Sequence, residues 1–256
     1  MTAPPMNRSH PSVLHPRSGL ALMEILVVVA IIIALAAVVV PIWNVHETRT
    51  NKSAAEKIMR ELGSATSNYV AQHDNKLPGE DAPGATDWEA VADPKNAEVW
   101  FNAIPKQMTR KPVSDFASNP AAFYTKENPI YIPGAPYPTN DTRLLRPLFA
   151  VSFNSKLERK SEGGDKVVRM SDITNPARTV LYLEEGLPKE KRSVETQPRY
   201  NGQAKGSARS FVGRYNGKGW LIFCDSHAEL VDPKDTLDVT GQILEPETNF
   251  IWSLQH

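Results

Sequence analysis

Apolar and polar positions divide this chain sharply. From Leu20 to Trp43, 22 of 24 residues are apolar, the exceptions being Glu24 and Pro41, and Ile25–Val40 is an unbroken apolar run of 16. As helix, that run would be about 24 Å long and the whole block about 36 Å, at about 1.5 Å per residue. A bilayer core is about 30 Å thick. Beyond the block the pattern changes. Between Thr50 and Asp74, Ile58, Leu62, Ala65 and Tyr69 recur at spacings of four, three and four. That is one apolar stripe on an amphipathic helix. The charges Glu56, Lys57, Arg60 and Glu61 fall off the stripe, and Asn75 with Leu77-Pro78-Gly79 supplies the stop. The two stretches together predict one helix of about 50 residues, bent near Pro41.

The next stretch is different again. Residues 75–150 hold 11 of the 21 prolines. One helix stands out there, with Asp93-Pro94 as cap and first turn and Trp100 and Phe101 following. The remainder, including Asn128–Thr139, reads as ordered surface loop, since Phe116, Phe123, Tyr124, Tyr131 and Tyr137 argue against disorder. Strands are predicted at Leu148–Phe153, Thr179–Glu184, Ser210–Arg214, Trp220–Cys224 and His227–Val231. Asp225-Ser226 reads as a two-residue hairpin turn between the last two. The polar stretch Lys189–Ala208 reads as a mobile loop. The expected fold is α+β: a long N-terminal helix packed on an antiparallel β-sheet, with a Pro-rich loop insertion.

Composition narrows the chemistry. Lys and Arg number 29 and so do Asp and Glu, so no basic field speaks for nucleic acid. The single cysteine, Cys224, excludes an internal disulfide framework and any multi-cysteine metal site. No Gly-x-Ser-x-Gly elbow and no His-Glu-x-x-His pair occurs. Gly213-x-x-x-Gly217-Lys218-Gly219 is one residue short of a phosphate loop and lacks its Ser or Thr. His227 beside Asp225 reads as a hairpin cap at solvent rather than a catalytic pair. Nothing in the sequence assembles a nucleophile and a base, so the chain is expected not to be an enzyme.

Residues 1–19 carry Arg8 and Arg17 and no acid. A cleaved secretory signal would place small residues after the apolar run, whereas here the glycine stands before it and the far end reads Val-Pro-Ile-Trp. Positive charge on the short side predicts a cytoplasmic N-terminus and an external head. Arg17-Ser18-Gly19, followed by Leu20-Ala21-Leu22-Met23-Glu24 and an apolar helix containing Pro41, resembles the class III signal of type IV pilins and type II secretion pseudopilins. In that family a prepilin peptidase cuts after the glycine and methylates the new N-terminus. Glu24 is fifth and Pro41 twenty-second from Leu20, the family's registers for its glutamate and its helix proline. The resemblance implies cleavage between Gly19 and Leu20, N-methylation on Leu20, and assembly roles for Glu24 and Pro41. In the family the glutamate meets the α-ammonium of a neighbouring subunit.

The resulting organisation is a leader at 1–19, a transmembrane and filament-core helix at 20–43, and its amphipathic continuation at 44–75. A Pro-rich insertion follows at 76–147, then a C-terminal sheet head at 148–256. Two further segments, Met170–Glu185 and Arg214–Leu230, resemble the C-terminal half of large pseudopilin-like proteins common in planctomycete and verrucomicrobial genomes. There a Pro-x-x-x-Val-Leu…Glu strand precedes His, nine residues, and Asp-Gly. Here the histidine is Tyr215 and the glycine Ser226. Major pseudopilins hold a structural calcium in a C-terminal loop, which makes Asp232, Asp235 and Asp238 candidate oxygen donors; no other cofactor is implied. The expected partners are prepilin peptidase, other pilin or pseudopilin subunits and an inner-membrane assembly platform. The expected location is the bacterial inner membrane as a single-pass protein, then the filament. The alternative is a singly anchored surface module that recognises polysaccharide or a secretion substrate.

Overall fold

The computed structural model describes residues 22–79, 87–157, 168–244 and 249–254, except the side chains of 38–45 and 142–143. Gly19 and Leu20 lie outside the described residues. The chain falls into two units, dividing between His46 and Glu47. Helix α1 (Leu22–Gln72) contributes to both. In the first unit its side chains from Leu22 to Leu35 are exposed.

In the second unit the same helix is buried along one face. Ala55, Met59 and Leu62 are wholly buried, and Ala65, Thr66, Tyr69 and Val70 complete the stripe. The expected stripe is thus rotated at its start: Ile58 is only half-buried, and Ala55 and Met59 take the core-facing positions. The helix ends where Asp74 and Asn75 adopt positive φ of 52° and 64°. The Asn75 amide reaches back to the Val70 carbonyl at 3.1 Å, which satisfies one of the last orphan carbonyls.

The fold is α+β with a five-stranded sheet, but the sheet is mixed rather than antiparallel. Its strands are β1 (Val151–Asn154), β2 (Val180–Glu184), β3 (Lys205–Gly206), β4 (Gly219–Phe223) and β5 (Ala228–Val231), in the order β3-β1-β2-β4-β5. The four longer strands pair antiparallel. β3 joins β1 in parallel, Phe153 opposite Lys205 and Asn154 opposite Gly206. The polar stretch expected to be a mobile loop therefore supplies the edge strand. It also buries Gln197, Tyr200 and Ala204. Ser210–Arg214 forms no strand, making only a lone bridge from Phe211 to Glu185.

β1, β2 and β4 are buried at every position. The sheet is covered on both sides, which is why β2 and β4 read as near-continuous apolar runs. On one face Trp220, Ile222 and Tyr182 pack with α1. On the other, Val180, Leu183, Leu221 and Phe223 pack under Phe211, Phe250 and Trp252. A register shift between Val180 and Tyr182 lets Leu181 and Tyr182 both join the α1 side. The final segment is held by the Val180 amide donating to the Ile251 carbonyl at 2.9 Å.

In the proline-rich insertion residues 128–139 are ordered loop, as expected, but much of the rest described is helical. The insertion contains α2 (Trp88–Ala92), α3 (Trp100–Gln107), α4 (Pro120–Phe123) and α5 (Thr142–Leu145), with 3-10 turns between them. Pro94 and Pro120 each sit in the first turn of a short helical segment, where a missing N–H costs nothing. Asp87 and Asp93 cap α2 and the turn after it by accepting from the Ala90 and Lys95 amides. Trp100, Phe101, Ile104, Phe116 and Phe123 then enter the main core. Asn102, 1% exposed, donates to the Val91 and Asn96 carbonyls and accepts from the Ser114 amide. That knot ties three of the turns together.

Candidate functional site

The first candidate is the start of α1. Glu24 lies in its first turn and is exposed among apolar neighbours. Leu22, Met23, Ile25, Leu26, Val27, Val28 and Val29 are all about half or more exposed. Consecutive positions lie about 100° apart, so apolar side chains surround the helix rather than forming a stripe. A helix apolar all round is one that is buried in use. Among the described residues no helix is long and apolar enough to cross a membrane. The part of the apolar block with described side chains, Leu22–Ala37, spans about 24 Å. Pro41 lies within α1, with its side chain outside the described residues.

The second candidate is the hairpin between β4 and β5. Its tip is not a two-residue turn. Ile222 pairs with Ala228, and the Phe223 amide donates to the His227 carbonyl at 3.0 Å. Three residues, Cys224–Ser226, lie between. Ser226 takes the positive φ of 73°, as the last residue of a three-residue hairpin requires. His227 Nδ1 and Asp225 Oδ1 lie 2.6 Å apart, and the imidazole stacks on Phe223 at 4.3 Å. Both side chains are partly exposed, and the pair caps the hairpin. Burial pushes the Cys224 thiol far above its usual range, so it behaves as an apolar core atom.

Ser226 has a further role. Its Oγ donates to the Gly63 carbonyl at 3.0 Å and lies 2.7 Å from Ser67 Oγ. A Cβ on Gly63 would stand 2.9 Å from Ile222 Cγ2 and 3.3 Å from Ser226 Cα. Gly63 is therefore a notch in α1 that seats the hairpin tip.

The three candidate calcium donors are placed apart in role. Asp232 caps the turn Pro233–Thr236 by accepting from the Lys234 amide. Asp238 Oδ1 accepts from the Thr240 hydroxyl and from the Thr240 and Gln242 amides. These bonds, the Thr240 hydroxyl first, hold its carboxyl below the usual range. Asp235 is exposed. Among the described residues no group of three or more His, Cys, Asp or Glu side chains is placed to hold a metal ion.

One polar cluster was not anticipated from the sequence. Glu184, at the end of β2, is wholly buried and accepts from the Tyr215 hydroxyl at 3.0 Å and the Trp220 amide at 2.8 Å. Arg214, its side chain 4% exposed, sets Nη1 3.5 Å from Glu184. Nε and Nη2 grip both oxygens of Glu190 at 2.9 Å, and Nη2 also donates to the Glu185 carbonyl. Burial pushes the Glu184 carboxyl upward, against Arg214 and its donors. The same burial works against the Arg214 charge, but Glu190 and Glu184 outweigh it and hold the guanidinium firmly charged. The two segments that carry the narrower resemblance thus meet at Tyr215 and Glu184. Two consecutive acids after the apolar run Val-Leu-Tyr-Leu were the available signal. An acid directly continuing a buried strand needs a buried partner.

No protein-family model, no curated protein and no solved structure matches the chain.

Proposed function

We propose that the chain is a structural subunit of a type II secretion pseudopilus or type IV pilus-like filament, cut by prepilin peptidase and assembled from the inner membrane. The observation that carries this reading is the coincidence of three features at one end of the chain. Gly19 precedes Leu20, Glu24 stands fifth from the cut, and the helix that follows is apolar on all sides. Such a helix needs a lipid or protein environment around it. In a filament a neighbouring subunit's α-ammonium would stand beside that carboxylate, as the resemblance implies. On this reading the long helix has a membrane-spanning half and an amphipathic half, and the second half anchors the head. The chain carries out no reaction of its own; its partners are other subunits, the peptidase and an assembly platform.

The experiment is mass spectrometry of the native protein together with filament incorporation of Glu24→Val. The mature chain should begin at N-methylated Leu20. Glu24→Val should insert and be cut normally yet stay out of filaments. An intact Met1, or a cut after Trp43, overturns the processing. Normal incorporation of the variant overturns the role of Glu24.

A further inference from the structure

Glu185 follows the buried Glu184 but belongs to a different environment. It is 1% exposed. Its backbone is fixed between two elements: its amide donates to the Ala150 carbonyl at 2.8 Å, and it bridges to Phe211. Its side chain lies under the sheet's parallel edge. Ser152 Oγ on β1 donates to Oε2 at 2.9 Å. A Cβ on Gly206 of β3 would stand 2.4 Å from Oε2, 2.4 Å from Ser152 Oγ and 2.6 Å from Ser210 Oγ. Only glycine fits there, so the carboxyl is roofed by the backbone of the edge strand itself. Oε1 has no partner within hydrogen-bonding geometry.

The charged and titratable groups around it do not neutralise an anion in that space. Arg214 is directed to Glu190 and Glu184 and touches Glu185 only through its carbonyl. The Tyr200 hydroxyl is given to Gln197 and the Phe211 carbonyl. Lys205, beside Gly206 on β3, is half-buried. Burial raises the Glu185 carboxyl to about 8, with Ser210, Ser152, Arg214 and the Gln203 amide pulling the other way.

The strand over the carboxyl is short, although Ala204, Ala208 and Phe211 beside it are wholly buried. β3 pairs with β1 over two residue pairs. Around it the edge is held by the Phe153 amide and Trp100 Nε1 on the Ala204 carbonyl at 3.0 and 2.9 Å, and by the Phe149 amide on the Gly202 carbonyl at 2.9 Å. The Gly202 amide on the Gly186 carbonyl at 3.0 Å and Ser155 Oγ on the Gly206 carbonyl at 2.9 Å hold it as well. Gly206 and Ser210 stand directly against the carboxyl, so lifting this edge would uncover it.

We propose that Glu185 is a proton-held latch on the β3 edge: protonated, it closes beneath Gly206 between Ser152 and Ser210, and ionised, it favours an opened edge that admits water. The sign follows from linkage. The closed form binds the proton more tightly than the opened form, whose carboxyl has the ordinary value of about 4.3. Raising the pH therefore favours opening, by up to tenfold per unit, until the closed form ionises in place.

Hydrogen exchange of the full-length chain in detergent micelles, followed by mass spectrometry from pH 5.5 to 9, tests this. After correction for the intrinsic tenfold rise of exchange per pH unit, peptides spanning 149–154 and 200–207 should gain up to a further tenfold per unit. The gain should level off near pH 8. Peptides spanning β4 should stay more protected than the edge at every pH, because lifting the edge leaves β4 paired. Glu185→Gln, which copies the protonated shape, should abolish the extra dependence at the edge. The latch is overturned by edge peptides that follow the intrinsic rate alone, by β4 exchanging as fast as the edge, or by a Gln variant that keeps the slope. Should that variant not fold, the comparison of edge with β4 in the parent chain decides.

Discussion

Arg214→Met is the most informative single perturbation of the head. Methionine can follow the aliphatic stem of the arginine but leaves no donor for what the guanidinium held. Four acceptors lose it: Glu190, which gives up a bidentate grip at 2.9 Å, Glu184 at 3.5 Å, and the carbonyls of Ala150 and Glu185. Glu184 is wholly buried, so it would keep only Tyr215 and Trp220. Removing one partner of a buried pair costs about 3–5 kcal/mol. For a head of this size each kcal/mol moves the midpoint by about 2–4 °C, so melting should fall by roughly 6–20 °C. The loss should also depend on pH. Without Arg214, which pulls Glu184 down, burial raises that carboxyl further. A carboxyl raised on folding loses stability as pH climbs above its unfolded value of about 4.3. The cost should therefore be smaller at pH 5 than at pH 8. Thermal and urea unfolding of the fragment beginning at Glu47, at both pH values, measures it. A loss below about 0.5 kcal/mol, or one equal at the two pH values, would refute the assignment of Arg214 as the counter-ion of Glu184.

Two other substitutions test separate contacts. Gly63→Val would drive a side chain into Ile222 and Ser226, and should lower stability by about 1–3 kcal/mol in urea unfolding. An unchanged midpoint would mean the hairpin tip does not seat on α1. With Asp232 and Asp238 occupied by local amides, melting of the head in millimolar calcium and in chelator should coincide. A higher midpoint in calcium that disappears in Asp235→Ala would instead place an ion in that loop.

Much of the architecture is legible in the pattern of residues. The apolar stripe of α1 reads because a helix covered on one face repeats every three to four residues. β2 and β4 read because a sheet buried on both faces tolerates little but Val, Leu, Ile and aromatics. Other elements leave no such trace. β3 is Lys205-Gly206, too short to show a pattern, and it joins the sheet only by pairing with β1 from a distant segment. Ser210–Arg214 carries Phe211 and Val212 and so imitates a strand, yet Gly213 and the inward turn of Arg214 take it out of the ladder. The short helices of the insertion are masked by Pro94 and Pro120, which mark breaks in a longer window but starts in a shorter one. Glu24 and Pro41 stand out as departures from the apolar run, whereas Glu184 with Arg214 requires the fold to bring together residues 30 apart.

The seating of the β4–β5 hairpin on α1 bears on how the head carries force. Trp220 Nε1 donates to the Lys52 carbonyl at 3.1 Å, Ser226 Oγ to the Gly63 carbonyl at 3.0 Å, and Tyr182 and Thr66 hydroxyls meet at 2.9 Å. All three ties run from the sheet to one face of the helix between Lys52 and Thr66. A pull along the helix axis would load them in shear and together, rather than peeling them one after another. Gly63, as the one glycine of α1, also admits a single seat for the hairpin, so the helix cannot ratchet past the sheet by a turn under load. The head should therefore yield to tension as one mechanical piece, failing abruptly rather than by slippage.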